Sequence, residues 1–202
     1  LKLQEQGKIR HLGLSNHAVN RFEEIRSIGG KYVVNQLAYN LLTRAAEMEI
    51  LPYCQQVGTG VIAYMVLMQG LLTDKYSNFD EIPDWYTRTR HFDCKRTERC
   101  RHGEKGAEAE TIQALQGIRA IARECGVTTA DIALKWAVAA KGITCALVGT
   151  QNLKRLEANV KAVEEPLPDE IIKRLNTVTQ VLKDKLGPSL DIFESVGNDR
   201  TR

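Results

Sequence analysis

The sequence predicts an α/β fold on a parallel sheet. Two observations carry that prediction. Short apolar strand-like runs alternate with helical runs, and each strand run ends at a distinctive polar or aromatic residue, the end that faces ligand in parallel sheets. Four strand–helix units are legible in 202 residues, whereas a complete (β/α)₈ barrel needs eight in ~250 residues or more. The count predicts half a barrel or a small open sheet, in one domain spanning 1–202.

"KIRHLGL" is the first strand candidate. Asn16 follows as the expected cap of a helical run carrying Val19, Phe22, Ile25 and Ile28, which stops at Gly29-Gly30. "YVVNQL" is the second strand, and a helix is expected over 45–57, ending at Gly58. "GVIAY" (60–64), rich in β-branched residues between glycines, is the third. From 71 to 104 the periodicity disappears, as in long loops that act as lids or stay unstructured. A helix then carries Ile112, Leu115, Ile118, Ile121 and Ala122 on one side. Thr128 with Asp131 resembles a capping box for the next, in which Trp136 and neighbouring alanines are expected to pack inward. "ITCALVG" (143–149) is the fourth strand, followed by a helix from Asn152 with Leu156, Val160 and Val163. "LPDEIIKRLNTV" opens a last helix, stopping near Gly187-Pro188.

Charge excludes some partners. The 28 basic and 25 acidic residues are interspersed, for a net +3, so there is no clustered footprint for nucleic acid. The longest apolar stretch, "VIAYMVLM", falls far short of the ~20 residues of a membrane span. Five scattered cysteines in a Lys- and Glu-rich chain read as reduced thiols of a soluble, cytoplasmic protein.

The strand ends carry Ser15-Asn16, Gln36, Tyr64 and Gly149-Thr150-Gln151. Singly each has a bland reading: Ser-Asn as a helix cap, Gln36 as a satisfied core amide, Tyr64 as core. Together they suit a primary carboxamide, whose NH₂ and C=O need both acceptors and donors. A Tyr ring beside them offers a stacking face. That combination describes a nicotinamide pocket.

The stretches "GKIRHLGLSN", "VVNQLAYNLLTR", "GVIAYMVLMQGLLTDKY" and "LVGTQNLKRLEANV" run in order across essentially the whole chain. In them, and in "RCRHGEKGAEAET" and "KLGPSLDIF", the sequence resembles the C-terminal half of an aldo-keto reductase, strands five to eight of a TIM barrel that uses NADPH. The resemblance implies an NAD(P)H-dependent oxidoreductase of a small aldehyde, ketone or sugar. Ser15, Asn16 and Gln36 would hold the carboxamide and Tyr64 the nicotinamide ring. The backbone around Leu67, Gly70 and Leu72 would line the pyrophosphate. Gly149, Thr150 and Arg155 would sit at the 2′-phosphate and Asn159 at the adenine. Arg155 offers a fork suited to phosphate, near a helix N-terminus. Three departures soften the preference for NADP and leave NAD open. Met65-Val66-Leu67 replaces the frequent Ser-Pro-Leu, Gly149-Thr150-Gln151 replaces Gly-Ala-Arg, and Ala158 replaces an acid.

No residue aligns with the family's Asp–Tyr–Lys–His set, which follows strands two to four. Asp74-Lys75-Tyr76 has suitable types but falls in the loop after the third strand here, matched to the seventh of the family. Together with Leu1 in place of Met, the expectation is a fragment carrying the cofactor half, inactive alone, whose open edges promote self-association. The competing reading is a non-catalytic nucleotide-binding or interaction module, a pseudo-enzyme. His91, Cys94, Cys100 and His102 could be mistaken for zinc ligands, but the spacing is irregular and Arg and Lys crowd it, so the segment reads as a mobile lid. Arg88, Arg90, Arg96, Arg99 and Arg101 there could meet anions or be only a solvated face.

Overall fold

The computed structural model describes residues 1–202. Four strands, β1 (Leu12–Ser15), β2 (Tyr32–Ala38), β3 (Gly60–Tyr64) and β4 (Ile143–Ala146), form one sheet in sequence order. Every neighbouring pair is parallel. This is the α/β half of a (β/α)₈ barrel. Register places Ser15, Gln36, Ile62 and Cys145 in one row across the sheet. Side chains alternate in a strand, so the opposite face takes Leu37, Val61 and Ala63, which are fully buried. They join one core with Phe22, Cys54, Ile118, Ile132 and Trp136 from the helices. The Ser15 row faces the half-exposed side, the interior side of a barrel.

A single turn, α1 (Lys2–Glu5), precedes β1. The helices that follow are α2 (Val19–Ser27), α3 (Ile50–Gln56), α4 (Glu108–Glu124), α5 (Thr129–Ala139), α6 (Leu153–Glu164), α7 (Asp169–Val178) and α8 (Gln180–Leu186). The capping box of α5 forms as expected. Trp136 stacks on Tyr39 at 5.0 Å and donates its indole N–H to Asn176 at 2.9 Å. Such an aromatic finds a polar partner when buried.

Several expectations need correcting. The helix expected over 45–57 begins as a 3₁₀ turn at Ala45–Glu47 and becomes α-helical only at Ile50. The fourth strand ends at Ala146, and the final helix breaks at Thr179, whose hydroxyl bonds back to the Leu175 carbonyl at 2.8 Å. Asn16 does not cap α2: Ala18 holds that position, with no side-chain bond. Residues 71–104 lack long elements but are packed, with Thr87, Thr89, Arg90, His91 and Phe92 all buried. The five thiols are not all reduced, because Cys94 and Cys100 form a disulfide. The loop brings their Cα atoms to 5.3 Å, a separation that short spacing alone does not reveal. The cysteine argument for a reducing compartment therefore lapses. No helix is long and apolar enough to cross a membrane.

Candidate cofactor site at the strand ends

Beyond the C-terminal ends of β1 and β3 lies a hollow of about 340 Å³, lined by Ser15, Asn16 and Tyr64 and by the tail residues Asp191, Phe193 and Arg200 among others. Asn16 turns the chain sharply there with a left-handed φ of 57°, a conformation Asn tolerates better than most residues. Its N–H donates to the Gln36 carbonyl at 2.9 Å, continuing the ladder past Ser15. Tyr64 donates its hydroxyl to Asn16 Oδ1 at 3.0 Å. That bond ties the end of β3 to the end of β1 and leaves the Asn16 NH₂ free to donate. The Ser15 hydroxyl donates to the Gln36 carbonyl at 3.3 Å, so its lone pairs remain free to accept. Burial, partly offset by the bond to Asn16, raises the Tyr64 pKa above that of an ordinary phenol. The hydroxyl therefore stays protonated as a donor at neutral pH.

The tail beyond α8 closes one side of this hollow. Buried Asp191 accepts two bonds from the Arg200 guanidinium, at 2.6 and 2.9 Å. Burial works against that carboxylate, but the Arg200 pair and backbone N–H groups hold its pKa below the usual range. The Thr201 carbonyl accepts from Ala18 N–H at 2.8 Å, fastening the tail to the loop after β1.

Two more hollows, of about 410 Å³ each, continue along the sheet and share Leu67, Thr73 and Arg155. The nearer is lined by Met65–Leu67, Gln69, Gly70, Lys75 and Gly149, the farther by Asn152, Lys154, Ala158 and Asn159. The loop between is strained: Met65, Met68, Gln69 and Asp74 all have positive φ. Such strain clusters at ligand-holding segments. The buried Oε1 of Gln69 has no donor. Asn152 caps α6 through the Arg155 N–H at 3.2 Å. The Arg155 guanidinium takes part in none of the chain's ion pairs.

Of the residues singled out from sequence, Ser15, Asn16 and Tyr64 line the first hollow, while Leu67, Gly70, Gly149, Arg155 and Asn159 line the next two. Three stand apart. Gln36 contributes its carbonyl to Ser15 and Asn16, Thr150 shapes the turn into α6 through Asn152, and the Leu72 side chain is in the core. Asp74 is paired with Arg119 at 2.8 Å. His91 lies away from the other zinc-type ligands, bonded to the Leu42 carbonyl at 2.9 Å. Cys94, Cys100 and His102 do converge, but both sulfurs are committed to the disulfide. The tail lining was missed from sequence, since only the stretch "KLGPSLDIF" pointed at that segment.

A profile of the Aldo/keto reductase family matches residues 1–180. The chain belongs to the aldo/keto reductase family. It is 32% identical over 180 residues to a Schizosaccharomyces pombe protein named among the aryl-alcohol dehydrogenases, covering 85% of this chain and 46% of that one. It is also 32% identical over 179 residues to the uncharacterized oxidoreductase YrpG of Bacillus subtilis, covering 85% and 49% respectively. Among solved structures it resembles glycerol dehydrogenase AKR11B4 from Gluconobacter oxydans, with a TM-score of 0.69 and 26% identity, over 88% of this chain and 51% of that one. The chain thus spans about half the length of the relatives it matches.

Proposed function

We propose that this chain supplies the dinucleotide-binding half of an NAD(P)H-dependent oxidoreductase acting on an aldehyde, ketone or sugar carbonyl. The observation that carries the reading is the run of three hollows along the ends of β1, β3 and β4. Their chemistry changes in the order a nicotinamide dinucleotide requires. Amide and hydroxyl groups beside a Tyr ring come first, then a backbone-lined bend, then an unpaired guanidinium at a helix start. When bound, the dinucleotide supplies a hydride.

The chain's own residues position and shield. The Asn16 NH₂ would donate to the carboxamide oxygen and the Ser15 hydroxyl would accept from its NH₂. Tyr64, anchored through its hydroxyl, would offer its ring as the stacking face for the nicotinamide. The 190–201 tail, clamped by Asp191 and Arg200, keeps water from that end. Arg155, with Lys154 nearby, favours the 2′-phosphate, so NADP is preferred to NAD. Residues 71–104 border the cofactor and substrate mouth. None of the residues that meet at this site matches the family's Asp–Tyr–Lys–His set, and the 202-residue chain alone is expected to turn over no carbonyl. Open sheet edges and an apolar stripe on α6 lead it to self-associate.

Calorimetric titration with NADPH and NADH tests the proposal. Tyr64→Ala is expected to weaken both. Arg155→Gln is expected to weaken NADPH by about 10- to 100-fold, the worth of a charge-assisted hydrogen bond, and to leave NADH nearly unchanged. Absence of binding to either dinucleotide would end the proposal.

A further inference from the structure

A fourth, smaller hollow opens beside the first and is built almost entirely from arginine. About 230 Å³ in volume, it is lined by Arg88, Arg99 and Arg101 of the 71–104 loop and by Phe193 and Arg200 of the tail. Four guanidiniums around one small space repel one another unless countered. Two of them are. Arg101 pairs with Glu194 at 3.0 Å, and Arg200 with Asp191 at 2.6 Å. Arg88 and Arg99 belong to no ion pair. The other two arginines singled out in this loop differ: Arg90 is spent on Glu104 and the Leu186 carbonyl, Arg96 on Asp80 and Glu108.

The two unpaired groups are nevertheless held in place. The Arg88 guanidinium lies 3.8 Å from the centroid of the Trp85 ring and that of Arg99 lies 5.1 Å from it. Arg88 also sits 5.2 Å from the Phe193 ring. Stacking fixes a guanidinium plane while leaving its edge N–H groups free, the arrangement that recognises an oxyanion by paired hydrogen bonds. The Arg88 Nε is buried and has no acceptor within the chain.

Phe193 and Arg200 line both this hollow and the one that holds Ser15, Asn16 and Tyr64. A ligand reaching between them would have its reacting end at the strand ends and an anionic end among the arginines. We infer that Arg88 and Arg99 form an oxyanion subsite that selects carbonyl substrates bearing a carboxylate or phosphate group. The substrate class rests on the proposed cofactor function, whereas the anion subsite does not.

The test is titration of the 202-residue chain with inorganic phosphate and with acetate, each at constant ionic strength. It is read by Trp85 fluorescence and calorimetry, beside a parallel NADPH titration. Arg88→Gln/Arg99→Gln is expected to weaken anion binding at least tenfold and to change NADPH affinity less than twofold. Arg88→Lys/Arg99→Lys retains part of the anion affinity, which separates a lost charge from a disturbed fold. Arg123→Gln, at the far end of α4, changes neither. The stronger of the phosphate and acetate affinities names the anionic group. Anion binding in a chain that ignores NADPH would sink the cofactor proposal and leave the subsite standing. Equal anion affinity in the parent and the Gln double variant, or no anion binding, overturns the subsite.

Discussion

Arg44, the last residue of "VVNQLAYNLLTR", is nearly inaccessible to solvent and satisfied on every side. Its Nε and Nη2 donate to the two Glu47 oxygens at 2.8 Å each. Its Nη1 donates to the Asn176 carbonyl at 2.9 Å and the Thr179 hydroxyl at 2.8 Å. Glu47 also accepts from Lys183 at 2.7 Å and Tyr39 at 2.9 Å. One charge cluster thus joins the turn after β2 to α7 and α8, more than 130 residues away. Removing one partner of a buried pair costs about 3–5 kcal/mol, because the other charge stays behind unsatisfied. Lys183 and Tyr39 remain for Glu47, so Arg44→Met belongs near the low end, about 3 kcal/mol. For a chain of this size that corresponds to a fall of about 6–12 °C in melting midpoint. Arg44→Lys keeps the charge but loses the fork, and should lose roughly half as much.

The double variant Arg44→Met/Glu47→Leu should recover part of the loss, since an apolar pair replaces a broken ionic one. The acid limb gives a second readout. Burial works to raise the Glu47 carboxyl, but hydrogen bonds from Arg44, Lys183 and Tyr39 overcome it and leave the pKa below the ordinary 4.5. A depressed carboxyl stabilises the fold fully above its unfolded pKa and loses that contribution as pH falls through the folded one. The gap between parent and Arg44→Met should therefore be full at pH 7 and shrink below about pH 4. Thermal unfolding followed by circular dichroism at low protein concentration, at pH 7 and below about pH 4, measures both. A midpoint loss under 2 °C, or a double variant no better than the single, refutes the argument.

Three further outcomes follow from the packing. Burial, despite the bond to the Leu42 carbonyl, pushes the His91 pKa down to about 4. The unfolded chain therefore takes up a proton near pH 6.5 that the folded chain refuses, and stability should fall by up to about 3 kcal/mol between pH 6.5 and 4; an imidazole titrating above pH 6 in the folded chain by NMR contradicts this. Gly106 has φ +72°, and an added Cβ would lie 2.0 Å from the Phe92 carbonyl oxygen. Gly106→Ala should cost well beyond the ~1–2 kcal/mol of left-handed strain, whereas Gly103→Ala, with φ +67° and open space, should cost the strain only; equal denaturation midpoints would dismiss the clash. Leu153, Leu156, Val160 and Val163 leave an exposed apolar stripe on α6. If the chain self-associates through this stripe as proposed, Leu156→Glu/Val160→Glu should lower the mass seen by light scattering; a monomeric parent, or an unchanged mass in the variant, refutes that.

The order of strands and helices was readable because it depends on local pattern. β-branched runs such as "GVIAY" cannot match a helical period, and Gly29-Gly30 or the Thr128–Asp131 box mark ends through their own backbone chemistry. That Ser15, Asn16 and Tyr64 lie close together was readable because Ser15 and Tyr64 close strands, Asn16 follows Ser15, and parallel pairing brings strand ends together. Asn16 was half legible: its place at the site followed from sequence, but its left-handed turn and bond to Tyr64 replaced the expected cap. Groups that meet only by long-range packing could not be read. Arg44 finds Asn176 and Lys183 shares its Glu47, Asp191 and Arg200 fold the tail back over β1, and Cys94 meets Cys100 inside an unpatterned loop. The arginines of that loop look alike in sequence. Only the tertiary structure separates Arg90 and Arg96, spent on carboxylates, from Arg88 and Arg99, held against Trp85 with their charge unanswered, because charge pairing depends on distance in space and not along the chain.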